Sequence, residues 1–158
     1  MDKSVVLTNH ILTDEEKRLI CAWRYSGLYA VYNMPPYELL AQHKLSFLDP
    51  QKGKHFRAFY DGNTFLGFVN IKEEPQEVCI AIGICPNLCG KGYGRRMLQE
   101  ACSIAETLYP GKPLYLEVRT WNERAIRCYQ SVGFQIVGKP YEMKTGSGWD
   151  TFYRMTRV

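Results

Sequence analysis

No C-x-x-C pair occurs among the six cysteines (Cys21, Cys79, Cys85, Cys89, Cys102, Cys128), and the three histidines (His10, His43, His55) lie far apart in the chain. Zinc and dithiol redox frameworks therefore find no support, and buried, reduced thiols are the expected state. No stretch approaches the ~18 uninterrupted apolar residues of a membrane span, and the first nine residues reach polar side chains too soon for a signal peptide. A cytoplasmic protein that does not engage a membrane is the expectation. An excess of one charge is also missing: 20 Lys and Arg against 16 Asp and Glu leave a formal charge of +4. The basic residues are scattered and form no RRM, zinc-finger or basic-region pattern, so no nucleic-acid partner is expected, whereas a small anionic ligand is compatible. Internal repeats, low-complexity tracts and interdomain linkers are absent as well.

What remains is a chain of 158 residues, 46% apolar and 23% charged, ordinary for one globular domain with a sizeable core. Ser4–Leu7 reads as a first strand. Thr13 and Glu16 stand at capping-box spacing and open a helix carrying Leu19, Ile20, Ala22 and Trp23. A tyrosine-rich stretch to Tyr37 is broken by Gly27 and Pro35-Pro36, and Pro36 reads as the first residue of the next helix. His55–Tyr60 and Thr64–Lys72 flank Asp61-Gly62-Asn63 as a hairpin. A strand (Glu77–Cys85), a glycine-rich loop, a helix (Gly94–Tyr109), a strand (Pro113–Thr120) and a helix (Asn122–Val132) follow. Two closing strands are expected to be connected by Gly138–Gly148. An antiparallel first half joined to a βαβα second half gives a mixed sheet with helices on both faces, in the α/β or α+β class.

Four segments carry chemistry. In the strand Glu77–Cys85, Val78, Ile80, Ile82 and Ile84 share one face, while Cys79, Ala81, Gly83 and Cys85 form a face of small residues that admits a close neighbour. A packed helix is the simpler occupant, a ligand chain the alternative. The loop Cys89-Gly90-Lys91-Gly92-Tyr93-Gly94-Arg95 then runs into an amphipathic helix with Met97, Leu98, Ala101, Ala105 and Leu108 at apolar positions. Glycines permit positive φ and expose N–H groups, the helix dipole adds partial positive charge, and Lys91 and Arg95 supply full charges, so a pyrophosphate fits there. A Walker A loop is excluded, because Cys85 stands where its first glycine belongs and Gly92 where its Ser or Thr belongs. The dinucleotide fingerprint fails too, since the position three beyond Gly92 is Arg95.

The next strand places Tyr115, Glu117 and Arg119 on one face, which implies either a cleft or an internal salt bridge around Arg119. After it, Asn122 caps a helix that Gly133 stops. Asn122 and Tyr129 lie two turns apart on one face, about 10 Å along the axis, so one can orient a ligand while the other reaches its reactive end. An N-cap paired with a buried tyrosine is the structural alternative.

In order, Ile82-Gly83-Ile84-Cys85-Pro86, Gly90-Lys91-Gly92-Tyr93-Gly94-Arg95, Leu116-Glu117-Val118-Arg119 and Asn122-x-x-Ala125-x-x-x-Tyr129-x-x-x-Gly133-Phe134 resemble the GNAT superfamily of N-acetyltransferases. The resemblance covers Glu77 to about Val137. It implies one N-acetyltransferase domain over residues 1–158, with a mixed, mostly antiparallel sheet of about six or seven strands. Residues 1–76 would form the acceptor-side half, 77–137 the acetyl-CoA core and 138–158 the closing strands. Acetyl-CoA is the implied cosubstrate, with no metal, bound by Ile82, Gly83, Ile84, Cys89, Gly90, Lys91, Gly92, Tyr93, Gly94, Arg95, Asn122 and Tyr129. Cys89 departs from the Gln or Arg usual in the family loop, leaving its backbone N–H to serve.

The implied reaction is acetyl transfer to a primary amine, a small molecule or a peptide N-terminus. An amine of pKa 10.4 is neutral in about one molecule in 2,500 at pH 7, and an α-amine near 8 in about one in ten, so a base helps. The resemblance assigns Tyr129 as the acid protonating the leaving thiolate and a backbone N–H near Ile84 to the oxyanion. Glu117 is the first candidate base, its spacing to Tyr129 resembling the subgroup that acetylates protein N-termini. Glu77, acting through a water, is the second. Trp23, Tyr25, Tyr29, Tyr32 and Tyr37 are candidates to line an acceptor pocket or, for at least three of them, to pack the core. The segment Lys139–Met143 does not reproduce the tyrosine-rich hairpin of that subgroup. A non-catalytic acyl-CoA-binding module of the same fold is the alternative function, and a monomer or a homodimer is equally compatible.

Overall fold

The computed structural model describes residues 6–157. Seven strands are hydrogen-bonded in the order β1-β2-β3-β4-β5-β7-β6, with β1 Thr8–Ile11, β2 Phe56–Asp61, β3 Thr64–Glu73, β4 Val78–Ile84, β5 Leu114–Arg119, β6 Gln135–Thr145 and β7 Gly148–Arg157. The α-helices are α1 Asp14–Ala22, α2 Tyr37–His43, α3 Pro50–Gly53, α4 Tyr93–Leu108 and α5 Glu123–Ser131. The β4–β5 pair is parallel, and the β1–β2, β2–β3, β5–β7 and β6–β7 pairs are antiparallel, so the sheet is mixed and mostly antiparallel as the α/β reading expects. Two compact units share the chain: residues up to Asn70 with Ile82–Tyr93, and Ile71–Ala81 with the chain from Gly94 onward.

In the first unit, Thr13 caps α1 in a reciprocal box with Glu16. The core gathers Leu12, Ile20, Cys21, Leu40, Phe47, Phe56 and Ala58, with Trp23, Tyr37, Phe65 and Phe68 packed against it. Trp23 stacks on Phe68 and lies tilted against Phe65, so Trp23 and Tyr37 belong to the packing reading of the aromatic cluster. Glu16 is only 4% exposed and lies against three groups. The Thr13 N–H donates to it at 2.9 Å, the Tyr60 hydroxyl at 2.5 Å, and His10 Nε2 lies 2.8 Å away. Burial opposes ionisation, but these hydrogen bonds outweigh it and hold the carboxyl below its ordinary range, while burial and Glu16 push the Tyr60 phenol up to about 12. A depressed folded value stabilises above the unfolded value of about 4.3 and is lost as pH falls through the lowered one. Glu16→Gln therefore costs about 2 kcal/mol at pH 7 and flattens the loss of stability below about pH 4. Chemical denaturation at pH 3 and pH 7 checks both.

In the second unit, α4 buries Met97, Leu98, Ala101, Cys102 and Ala105. Leu108 is 56% exposed and leaves the expected apolar face, because it ends the helix. The strands contribute Val78, Ile80, Leu114, Leu116, Val118, Phe152 and Met155 to the interior. Burial pushes the thiols of Cys79, Cys102 and Cys128 up, as it does Cys21 in the first unit.

Three expected boundaries move. The first strand is Thr8–Ile11 instead of Ser4–Leu7; Ser4 and Val5 lie outside the described residues, and pairing with β2 selects the later segment. Pro36 is the N-cap of α2, its ψ of 145° placing it before the first helical residue. The expected Gly138–Gly148 connection is strand: β6 continues to Thr145, and only Gly146 and Ser147 separate it from β7. Gly138, at φ 71°, and Pro140 read as breakers but lie in a register shift between Val137 and Tyr141. On an edge strand a bulge tolerates both residues.

Candidate active site

At the end of β4, the Tyr25 hydroxyl donates to the Ile84 carbonyl at 2.5 Å, and the Cys85 N–H donates to the Leu66 carbonyl at 2.8 Å. That amide is thereby committed within the sheet. On the face a side chain would take, Gly83 has the Phe68 ring of β3 as its close neighbour: a Cβ there would stand 2.4 Å from that ring. Cys89 Sγ turns back toward the strand end, 3.7 Å from the Cys85 carbonyl oxygen. Ile82, Gly83 and Ile84 are half-buried.

Beyond Cys89 the chain has the conformation an anion cradle needs. Gly90 and Gly92 adopt φ of 79° and 85°, and no other atom lies within 4 Å of where their Cβ atoms would be. Such values favour glycine on backbone grounds, and the surrounding space is open. Lys91 and Arg95 are exposed, Tyr93 begins α4, and Gly94 is buried in its first turn. Among the described residues no group of three His, Cys, Asp or Glu side chains is placed to hold a metal ion, and no helix is long and apolar enough to cross a membrane.

The polar row of β5 resolves into three separate fates. Arg119 is 7% exposed and pairs with Asp150 at 3.0 Å, its guanidinium over the Phe152 ring. Asp150 is held below the usual carboxylate range, first by the Trp121 indole and further by Arg119. Tyr115 is buried, its hydroxyl donating to Glu74 at 2.7 Å, and burial and that carboxylate raise its phenol. Glu117 is exposed, and its Oε2 accepts from the Tyr141 hydroxyl at 2.5 Å. The salt-bridge reading of this face thus applies to Arg119 with Asp150, whereas Glu117 stands toward solvent in the middle of a paired strand. Glu77, just before β4, is ion-paired with Arg154 of β7, the residue that faces Glu117 across the β5–β7 ladder.

Asn122 and Tyr129 sit on α5 as expected. Asn122 is 7% exposed, and its Oδ1 accepts the Ala125 N–H at 3.2 Å. Tyr129 is half-buried, and its carbonyl accepts the Phe134 N–H at 3.1 Å where Gly133, at φ 100°, closes the helix. The structure thus joins the two candidate bases through the β5–β7 face, one bonded to Arg154 and the other facing it. Tyr141 and Arg154 carry no signal in the sequence, and Tyr25, a candidate for the acceptor pocket, instead bonds the end of β4. Their partners are set by strand register and by contacts 24 to 77 residues apart, for which the local pattern holds no signal.

The model of the acetyltransferase (GNAT) family matches residues 17–134. Among curated proteins, the chain is similar to the N-alpha-acetyltransferase RimI of Mycobacterium tuberculosis, 37% identical over 103 residues, which are 62% of this chain and 63% of that protein. It is also similar to the spermine/spermidine N(1)-acetyltransferase of Bacillus subtilis, 42% identical over 50 residues, 32% of this chain and 33% of that one. The chain thus spans less than two thirds of the curated relatives it matches. Among solved structures, a GNAT-family acetyltransferase from Bacillus anthracis has TM-score 0.78 at 12% identity, covering 96% of this chain and 94% of that one. A spermidine N-acetyltransferase SpeG chimera from Vibrio cholerae has TM-score 0.70 at 21% identity, covering 96% and 95%. These two likenesses concern the fold.

Proposed function

Because the chain belongs to the GNAT acetyltransferase family, we propose that it transfers the acetyl group of acetyl-CoA directly to a primary amine, carried by a small molecule or a peptide N-terminus. The observation that carries the cosubstrate is the loop in which Gly90 and Gly92 hold positive φ in open space ahead of α4. Residues Cys89 to Arg95 would take the pyrophosphate with backbone N–H groups, the helix dipole, Lys91 and Arg95. Ile82–Ile84 and Asn122 would orient the remainder of the cosubstrate. The loop that fails both better-known phosphate fingerprints leaves a different phosphate-bearing molecule, and acetyl-CoA is the one the family uses.

The chemistry follows from charge. Glu117, the exposed carboxylate of β5, takes the proton of the ammonium; the freed nitrogen lone pair attacks the thioester carbon; the C–S bond breaks as Tyr129 protonates the departing thiolate, and the surplus proton of the new amide nitrogen passes to the Tyr129 phenolate. Glu77 is less suited to the role, because Arg154 already holds it. No acyl-enzyme is required. The thiols of Cys21, Cys79, Cys102 and Cys128 are held in the protonated form by burial, which makes them poor nucleophiles.

Two measurements test this reading. Calorimetric titration should give CoA binding that ATP does not displace, and Gly92→Val should weaken it at least tenfold, since φ of 85° excludes a β-branched residue. Thiol release from acetyl-CoA should be strictly dependent on added amine. A burst of thiol without amine would replace direct attack by a covalent intermediate, and absence of CoA binding would remove the cosubstrate.

A further inference from the structure

Glu117 has a cationic residue directly across the ladder, Arg154, at a cross-strand Cβ separation of about 5 Å. An ion pair between them is the arrangement that the register alone would suggest. The arginine is engaged elsewhere. Its guanidinium is ion-paired with Glu77 and lies 3.8 Å from the centre of the Tyr115 ring, and the Tyr115 hydroxyl is anchored on Glu74 at 2.7 Å. The charge that would neutralise Glu117 is thus drawn toward β4.

What Glu117 does contact comes from β6. The Tyr141 hydroxyl donates to Oε2 at 2.5 Å, and its position depends on the edge-strand irregularity. Val137 faces Arg154 and Tyr141 faces Phe152, so β6 advances four residues (141 − 137) while β7 advances two (154 − 152). A bulge re-aims the side chains that follow it, and here the tyrosine that follows it reaches the β5 carboxylate. Burial and Glu117 together push the Tyr141 phenol well above its ordinary range, so the hydroxyl remains a donor at neutral pH.

We propose that Tyr141 is the positioning residue of the base: its hydroxyl fixes Oε2 of Glu117 and presents Oε1 to the acceptor amine, while Glu77 and Tyr115 keep Arg154 from pairing with the same carboxylate. The proposal rests on the reading of Glu117 as the base. It makes the β6 irregularity part of the active site. Gly138 and Pro140 serve to aim Tyr141, and the base depends on a strand outside the region the family model matches, which ends at residue 134.

The test is a double-mutant cycle in the amine-dependent thiol-release assay, with wild type, Tyr141→Phe, Glu117→Gln and both changes together. Tyr141→Phe should lower kcat about tenfold, the scale of a misplaced catalytic group, with the KM for acetyl-CoA unchanged. Glu117→Gln should lower kcat about a hundredfold. The double variant should match Glu117→Gln within about twofold, because a residue that acts through the carboxylate has nothing left to position once the carboxylate is gone. Additive losses, or wild-type kcat in Tyr141→Phe beside a slow Glu117→Gln, would overturn the role of Tyr141 alone. Wild-type kcat in Glu117→Gln would overturn the base, and the positioning role with it. A chain that releases no thiol with any amine would overturn the acetyltransferase reading itself.

Discussion

Tyr129→Phe lowers kcat for amine acetylation by about a hundredfold or more, with the KM for acetyl-CoA within about twofold of wild type. The leaving group sets the requirement. A thiolate of pKa about 8.5 departs more readily if it is protonated as the C–S bond breaks, and a phenol of pKa about 10 is fully protonated at neutral pH and can supply that proton. Tyr129 is carried by α5, which is fixed at both ends. Asn122 caps its first turn, and Gly133 at φ 100° turns the chain out of the last. A side chain between two such anchors has little freedom to shift, so removal of one oxygen changes chemistry more than geometry. Because the phenyl ring of the variant retains the packing surface of tyrosine, an unchanged melting temperature with a collapsed kcat separates catalysis from packing. An unchanged kcat would return Tyr129 to the role of a packing residue and favour the binding-module alternative.

The second large effect is on the fold. Gly67→Ala should destabilise the protein by about 3 kcal/mol or more, the upper end of overpacking costs, and lower its melting temperature by about 6–12 °C. A Cβ at residue 67 would stand 2.1 Å from the Gly83 carbonyl oxygen and 3.0 Å from the Ile84 Cα. Both obstacles are backbone of the neighbouring strand and cannot swing aside as a side chain would. The clash falls on the segment assigned to acetyl-CoA, so surviving folded protein should also bind CoA more weakly. Thermal denaturation and a CoA titration of the same preparation read the two effects. Gly62→Ala, at the β2–β3 turn with no atom within 4 Å of its Cβ position, is the control that carries the strain of φ 58° without the clash.

These two expectations illustrate how far the sequence reaches. Features written in a few consecutive residues were legible: the Thr13–Glu16 box, the Asp61-Gly62-Asn63 turn, the Asn122 cap, the Gly133 stop, and a glycine loop whose φ values suit an anion. The apolar face of β5 is legible too, since Leu114, Leu116 and Val118 are buried, whereas the polar row divides: Tyr115 and Arg119 are buried and Glu117 is exposed. The resemblance in order of motifs pointed to the family before any contact was known. What sequence could not provide was pairing at a distance. Arg119 and Glu117 share a face, yet Arg119 goes to Asp150 and Glu117 to Tyr141, because each depends on where β7 and β6 lie beside β5. The Gly138–Gly148 segment reads as a connection because local rules score glycine and proline as breakers, whereas the edge strand absorbs Gly138 and Pro140 in a bulge and continues to Thr145. The small side of Gly83 reads as room for a close neighbour, and the Phe68 ring that stands beside its Cβ position is a neighbour that only the β3–β4 pairing reveals.

The measurement that bears most directly on the account is the mass of the products formed when the purified chain is incubated with acetyl-CoA and a mixed panel of short peptides with free N-termini, polyamines, amino acids and aminoglycosides. The account predicts at least one amine that gains a single acetyl group in step with the appearance of free CoA, and loss of that product in Tyr129→Phe and Glu117→Gln. Peptide products modified at the α-amine would place the acceptor with the N-terminal class, and modified polyamines with the small-molecule class. Acetyl-CoA left unconsumed with every amine, although the protein binds CoA tightly, would contradict the account and leave a binding module in its place.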